Sequence, residues 1–118
     1  MEELRFDLDR KELPIVLEGA SERLHLVLRE LTGKDRDKYL SSLSGRMRFD
    51  ASGQPIGLKS FDGLQSGLLS LCLYDDQGNR IKRSSIEEWP ASTQTRIFEK
   101  AQEINALNQE AVDLAGND

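Results

Sequence analysis

The most apolar part of the chain is Ser60–Asn79, which reads S-F-D-G-L-Q-S-G-L-L-S-L-C-L-Y-D-D-Q-G-N. Its apolar residues recur at steps of three and four, the period of one helix face: Phe61, Leu64, Leu68, Leu71 and Cys72. Leu69 and Leu73 widen this face, and a helix that is apolar nearly all round is buried in a domain. The stretch therefore predicts a central core helix.

Residues that commonly begin and end helices stand at both ends of this predicted helix. Ser60 or Asp62 can cap its start, and Gln65 stands three residues after Asp62, as in a capping box. Gly78 suits the left-handed residue that ends a helix. A hairpin is the alternative for Leu69–Ile81, because the residues alternate and Asp-Gln-Gly-Asn can form a turn. The length of the three-four spacing favours the helix.

Length, charge and cysteine content limit the classes of protein to consider. At 118 residues we expect one domain, 1–118, with a core that needs no disulfide. The net charge is −5 and the basic residues form no clustered stripe, so we expect no nucleic-acid partner. No apolar run suits a membrane helix and the start resembles no secretory signal, so we expect a cytoplasmic protein with no membrane partner.

The N-terminal part predicts a β-hairpin preceded by a strand or an arm. Residues 1–12 alternate apolar and charged side chains, as in a short strand with one wet face or an ordered arm. Pro14–Glu18 and Leu24–Leu28, joined by a short loop containing glycine, predict the hairpin. Because a hairpin alone is marginal in water, we expect the central helix to cover its apolar face.

Thr32 and the residues after it predict a helix over Lys34–Met47. Thr32 can serve as the N-cap, with Asp35 three residues on, and the order of charges suits the helix dipole. Its apolar face consists of Tyr39, Leu40, Leu43 and Met47. The next stretch, Arg48–Lys59, contains glycines and a proline with little periodicity, which predicts a loop.

Two more helices are predicted near the C-terminus. Ser84 and Ser85 each precede a glutamate by three residues, which gives two overlapping capping boxes for a short helix. That helix ends before Pro90, which disfavours helical angles at Trp89. Pro90 or Ser92 begins a long last helix. Its apolar stripe consists of Ile97, Ala101, Ile104, Leu107, Ala111 and Leu114.

The end of this stripe is the candidate partner or self-association surface, because it extends beyond what a small core needs. Residues 108–118 either project as a helix end or lie as a frayed helix on their own core. Trp89 either closes the edge of the core or belongs to the surface. The candidate residues are Trp89, Ile104, Leu107, Ala111 and Leu114. Truncation after Leu107 is predicted to leave the fold but weaken association.

No stretch carries a catalytic or metal signature. Gly33-Lys34 follows no P-loop glycine at the required spacing. The acidic residues at Asp7 and Asp75 lack the spacing of a calcium loop. His25, the only histidine, lies on the charged face of a predicted strand, and Cys72 is expected to be a buried small hydrophobe. We therefore predict a non-enzymatic protein without cofactor or metal.

Three stretches carry a family resemblance. A hairpin runs into L-R-E-L-T-G-K-D-R-D-K-Y-L at Leu28–Leu40, and L-L-S-L-C-L-Y-D-D-Q-G-N-R-I occupies Leu68–Ile81. The third, Ile86–Leu107, reads I-E-E-W-P-A-S-T-Q-T-R-I-F-E-K-A-Q-E-I-N-A-L. Together they resemble the tail assembly chaperones of long-tailed bacteriophages, which end in a short helix, a turn and a long helix closing on a Leu-Asn-Gly-Leu-like sequence. Ala106 departs from this pattern, because glycine is usual there.

The resemblance implies a non-enzymatic role in the cytoplasm of the bacterial host. Such chaperones coat the tape measure protein, keep it soluble, recruit tail tube subunits and are absent from the finished virion. Many are made in two lengths by a ribosomal frameshift, and this chain would match the short form. Self-association into a homo-oligomer is compatible with this role. The alternative is a structural neck or tail-completion protein that is retained in the virion.

The fold expected from all of these patterns is a single α+β domain that is mainly helical. Its N-terminal β-hairpin is predicted to pack on about four helices.

Overall fold

The computed structural model describes residues 2–107, which form an α+β fold with an N-terminal β-hairpin and four helices. The strands are β1 (Glu12–Glu18), β2 (Arg23–Arg29), β3 (Met47–Phe49), β4 (Pro55–Leu58) and β5 (Leu73–Asp75). The helices are α1 (Gly33–Gly45), α2 (Leu64–Cys72), α3 (Arg83–Glu87) and α4 (Ala91–Ile104). Helices contain 39% of the residues and strands contain 24%. The predicted α+β class is therefore confirmed, whereas the description "mainly helical" fits only in part.

The first hairpin is confirmed and belongs to a three-stranded antiparallel sheet in the order β1-β2-β5. The alternating leucines of β2 place Leu26 and Leu28 in the interior, and β1 directs Ile15 and Leu17 to the same face. Residues 2–11 form no strand, so the arm alternative holds for them. The sheet thus has one apolar face that must be covered by helices.

Helix α1 begins where the sequence predicts and ends early. The Thr32 hydroxyl accepts a hydrogen bond of 3.2 Å from the Asp35 backbone N–H, which confirms the N-cap. Tyr39 and Leu43 are buried as expected. Met47 lies in β3 instead of the helix, because the chain leaves the helical conformation after Gly45.

The predicted loop over Arg48–Lys59 is wrong, because β3 and β4 pair there as an antiparallel hairpin. The Asp50 carboxylate accepts hydrogen bonds of 2.9 Å from the backbone N–H groups of Ser52 and Gln54. This side-chain turn brings the two strands together. Strands of three and four residues with an irregular register give no periodic signal in the sequence.

The predicted central helix is confirmed over Leu64–Cys72, and its predicted ends are wrong. Gly63, with φ of 68°, precedes the first turn, and no side chain caps it. The Ser60 hydroxyl instead accepts a hydrogen bond from the backbone N–H of Asp62. Phe61 lies outside the helix and is 72% exposed, so its place on the buried face is also wrong.

Beyond Cys72 the hairpin alternative is the correct one. Leu73 adopts extended angles and begins β5, where it lies opposite Leu28 of β2. The Asp75 carboxylate accepts hydrogen bonds from the backbone N–H groups of Gln77 and Asn79, which form a turn. Gly78, with φ of 84°, supplies the left-handed residue of this turn and does not end a helix.

The capping boxes predicted for the short helix are also wrong. Helix α3 begins at Arg83 with Lys82 as its N-cap, and no side chain caps it. Ser84 and Ser85 lie two and three residues past the N-cap position, inside the first turn of the helix. Of the two predicted starts for the last helix, the structure selects Pro90, which is the N-cap of α4.

Helix α4 ends at Ile104, so its predicted continuation through Leu107 is wrong. The backbone N–H of Leu107 donates to the carbonyl of Gln102 (2.8 Å), and that of Ala106 donates to the carbonyl of Glu103 (3.2 Å). These two bonds define a Schellman motif, in which Ala106 takes the left-handed position with φ of 53°. Ala111 and Leu114 lie outside the described residues.

Helix α2 lies in the middle of the core. Its Leu68, Leu69 and Cys72 have no exposed surface, and they share one buried cluster with Leu28 of the hairpin. The expectation that α2 covers the hairpin is met only in part: α2 shares this cluster with Leu28, but the helix that packs directly against β2 is α4. The other core residues from the helices are Tyr39, Leu43, Ile86, Ile97, Phe98 and Ala101.

Candidate partner-binding groove

A groove of about 520 Å³ lies between the β1–β2 hairpin and the start of α4. We call it the hairpin groove. It exists because α4 meets the sheet at β2 and leaves β1 partly uncovered. Its apolar lining includes Ile15, Leu17, Leu24, Trp89 and Ile97.

The groove exposes apolar surface that a fully covered sheet would bury. Leu24 is 38% exposed on the face of the sheet that also carries Leu26 and Leu28, whereas Ile97 on the helix side is 8% exposed. A concave surface that is mainly apolar with a few polar groups is the common form of a binding site. The exposed charged residues beside it carry both signs: Glu18, Glu22, Arg96, Glu99 and Lys100.

The helical wall of the groove has the geometry of a helix-packing surface. Thr93, Arg96, Ile97 and Lys100 are spaced by three and four residues and therefore share one face of α4. Such a ridge packs into the groove of a second helix. An amphipathic helix that places its apolar side in this groove would meet the sheet on one side and α4 on the other.

Trp89 is held at the junction of α3 and α4. Its backbone N–H donates to the carbonyl of Ile86 (3.1 Å), and the next residue, Pro90, begins α4. The indole is partly buried against the core and lines both the hairpin groove and a neighbouring pocket that includes Ile81 and His25. Trp89 therefore closes the edge of the core and at the same time borders the candidate site.

The structure does not bring the predicted surface residues together in one exposed patch. Leu107 is 3% exposed and belongs to the core, so in this structure it offers almost no surface to a partner. Ile104 is partly buried and packs against the same core. Trp89 alone among the predicted residues in 2–107 lines the groove, because the Schellman motif turns the chain after Ile104 back onto the core.

A cluster of arginines around Tyr74 is a second feature, on the opposite face of the sheet. The guanidinium carbons of Arg10, Arg29 and Arg80 lie 5.7, 5.1 and 5.8 Å from the centre of the Tyr74 ring. Arg10 and Arg80 also donate hydrogen bonds of 3.3 and 3.2 Å to its hydroxyl. No sequence pattern indicates this cluster, because its members are spread over 71 positions between residues 10 and 80.

Two carboxylates offset part of the positive charge of this cluster. Asp35 accepts a hydrogen bond of 2.7 Å from Arg80, and Glu12 lies 2.9 Å from the Arg29 Nε in an ion pair that lacks hydrogen-bond geometry. Burial raises the pKa of the Tyr74 phenol, but the hydrogen bonds from Arg80 and Arg10 outweigh this and leave it lowered. The cluster joins the end of the arm to the sheet and α1.

The single cysteine and histidine offer little to a catalytic mechanism. Burial raises the pKa of the Cys72 thiol to about 12, so the thiolate is not populated near neutral pH. This agrees with the expected buried hydrophobe. His25 is exposed, as predicted, and lies opposite Val16 in the hairpin. Among residues 2–107, no group of three or more histidine, cysteine or acidic side chains could hold a metal ion.

None of the helices in the described residues is long and apolar enough to cross a membrane. Comparison of the chain with models of protein families, with curated proteins and with solved structures finds no match.

Proposed function

We propose that this chain is a phage tail assembly chaperone whose hairpin groove binds an apolar helical segment of the tape measure protein. The observation that carries the proposal is the groove itself, in which partly exposed apolar residues of the sheet face a ridge of α4. The resemblance of Leu28–Leu40, Leu68–Ile81 and Ile86–Leu107 to that family supports the choice of partner.

A shallow groove of this kind suits the reversible contact that a chaperone needs. The tape measure protein is a long helical protein that exposes apolar residues until tube subunits surround it. Coverage of one apolar helical face by Leu17, Leu24 and Trp89 would keep a segment in solution. Arriving tube subunits would displace the chaperone, which therefore acts in the host cytoplasm and stays out of the finished virion.

Co-expression with the tape measure protein of the same genome tests the proposal. We expect the tagged chain to keep the tape measure protein in the soluble fraction and to co-elute with it. Precipitation of the tape measure protein regardless of this chain, together with recovery of the tag in purified particles, would favour the retained neck or tail-completion protein instead.

Two variants of the hairpin locate the contact. Leu24→Asp places a charge at a groove residue that is 38% exposed, and we expect it to reduce co-elution by about tenfold or more, equivalent to at least ~1.4 kcal/mol. Leu13→Asp is the matched control, because Leu13 is 39% exposed on the same face of the hairpin and lies outside the groove lining. Equal loss of co-elution in both variants would place the contact elsewhere.

A further inference from the structure

The N-terminal arm, residues 2–9, presents an apolar face that its own chain does not cover. Leu4, Phe6 and Leu8 are 85%, 85% and 101% exposed. They alternate with charged residues, so in an extended conformation they lie on one side. Within residues 2–107, no hydrogen bond or ion pair joins this arm to the domain; the first such contact is made by Arg10.

The outer edge of β1 is open to pairing in the described part of the chain, where β1 pairs only with β2. Backbone hydrogen bonds from Glu30 to Lys11 and from Gly19 to Glu22 extend the β1–β2 ladder at its two ends. Hydrogen-bonded pairs alternate along antiparallel strands. The backbone N–H and C=O groups of the odd-numbered residues of β1 therefore bond to β2, and those of the even-numbered residues point to the open edge. Pro14 is even-numbered, as expected for a proline in an edge strand.

We infer that the arm of a second copy of this chain adds to the outer edge of β1 as an antiparallel fourth strand. The register that we assign places Arg5 opposite Glu18. It also places Phe6 opposite Leu17 and Leu8 opposite Ile15, so the apolar faces of both strands coincide. Apolar and opposite-charge pairs of this kind stabilise neighbouring strands.

Charge selects this register over its neighbours. A slip of two residues in one direction places Asp7 opposite Glu18, and a slip of two in the other places Asp9 opposite Glu12. Both slips set like charges directly opposite, which is destabilising. A slip of one residue would turn Leu4, Phe6 and Leu8 to the wet face of the sheet.

The arm of the same chain cannot adopt this register. Pairing of Asp9 with Pro14 would require residues 10–13 to form a loop, whereas Leu13 is paired with Leu28 and Lys11 with Glu30. Arg10 is also fixed by its hydrogen bond of 2.6 Å to the Glu30 carbonyl. The tightest turn that keeps these bonds would set Asp7 opposite Glu12, so the complementary strand must come from another molecule.

The added strand would lie along the wall of the hairpin groove, because Ile15–Gly19 line that groove. Phe6 would then contact the apolar surface that we assign to the tape measure helix, and the two ligands would compete. The strand exchange itself does not rest on the tail-assembly proposal, and it is measured on the isolated chain.

Sedimentation velocity over a range of protein concentrations tests the exchange. We expect a reversible dimer, with Phe6→Asp shifting the chain to monomer. Arg5→Glu and Glu18→Lys should each raise the dimer Kd by about tenfold, because a symmetric dimer contains the pair twice. Combined in one chain, the two reversals should restore the Kd to within a few-fold of wild type. A monomer at every concentration, or a double variant no better than the singles, would overturn the inference.

Disulfide trapping checks the register independently. Leu8→Cys with Ile15→Cys places the thiols on directly opposite residues, within reach of a disulfide, whereas Leu8→Cys with Leu17→Cys sets them two residues out of register. Only the first variant should give a covalent dimer under mild oxidation, while the native Cys72 stays buried. A covalent dimer from the second variant, or an intramolecular disulfide from the first, would contradict the assigned pairing.

Discussion

Replacement of Ala106 by glycine should stabilise the fold, which is unusual for a change that removes a methyl group. Ala106 has φ of 53° at the left-handed position of the Schellman motif that ends α4. This motif directs Leu107 into the core, where it is 3% exposed. Glycine occupies such a position without the clash between Cβ and the following carbonyl.

The expected gain is the difference between two terms. The left-handed conformation costs a residue with a side chain about 1–2 kcal/mol. Glycine also increases the entropy of the unfolded chain, which lowers the free energy of unfolding by about 0.4–1 kcal/mol. The net gain in the free energy of unfolding is about 0.5–1 kcal/mol, and the melting temperature should rise by about 2–6 °C.

Urea and thermal denaturation followed by circular dichroism measure this change. The control is Ala91→Gly, which makes the same substitution at the exposed first residue of α4. That variant should lose up to about 1 kcal/mol of stability, since glycine has a poorer helix propensity than alanine. The two variants should thus shift the urea midpoint in opposite directions. A destabilised Ala106→Gly would refute the Schellman ending.

Three further predictions concern the core. Leu107→Ala should lower the free energy of unfolding by about 2–5 kcal/mol in urea, and a loss below ~0.5 kcal/mol would show that Leu107 is not a core residue. Burial raises the pKa values of both Cys72 and Tyr39 to about 12, from 9.0 and 10.0. Because the unfolded chain loses these protons first, the urea midpoint should fall as the pH rises from about 9 to 12; a rising midpoint would contradict this. Gly63→Ala should lower the melting temperature, because a φ of 68° disfavours a residue with a side chain and the added Cβ would displace the Arg83 guanidinium; an unchanged melting temperature would contradict the left-handed conformation of Gly63.

The sequence predicts those elements whose signal is local and regular. The alternation of Leu24–Leu28 defines β2, and the Thr32 hydroxyl defines the start of α1, since neither depends on distant residues. The three-four spacing identifies α2 for the same reason. The C-terminal end of α2 cannot be predicted from the neighbouring residues, because an apolar residue at Leu73 suits a helix and a strand equally well. The pairing of Leu73 with Leu28, 45 positions away, decides for the strand.

The candidate site is less predictable than the fold. Trp89 is singled out by its residue type, but the hairpin groove exists only because β1 and α4 meet in the folded chain. Leu107 fits the apolar stripe of α4 by spacing alone. The left-handed conformation of Ala106 ends the helix before Leu107, so Leu107 does not continue the helical face. A glycine at this position would indicate a helix end, whereas an alanine does not. The arginine cluster around Tyr74 likewise depends on tertiary contacts.

Fluorescence of the single tryptophan gives the most direct test of the claim that the hairpin groove binds the tape measure protein. Trp89 lines the groove, so it reports occupancy without any label. We expect titration with a tryptophan-free helical segment of the tape measure protein to produce a saturable change in emission. Leu24→Asp should raise the apparent Kd by about tenfold or more, and Leu13→Asp should leave it unchanged. Binding that leaves the emission of Trp89 unchanged, or that Leu24→Asp does not weaken, would contradict the assignment of this groove.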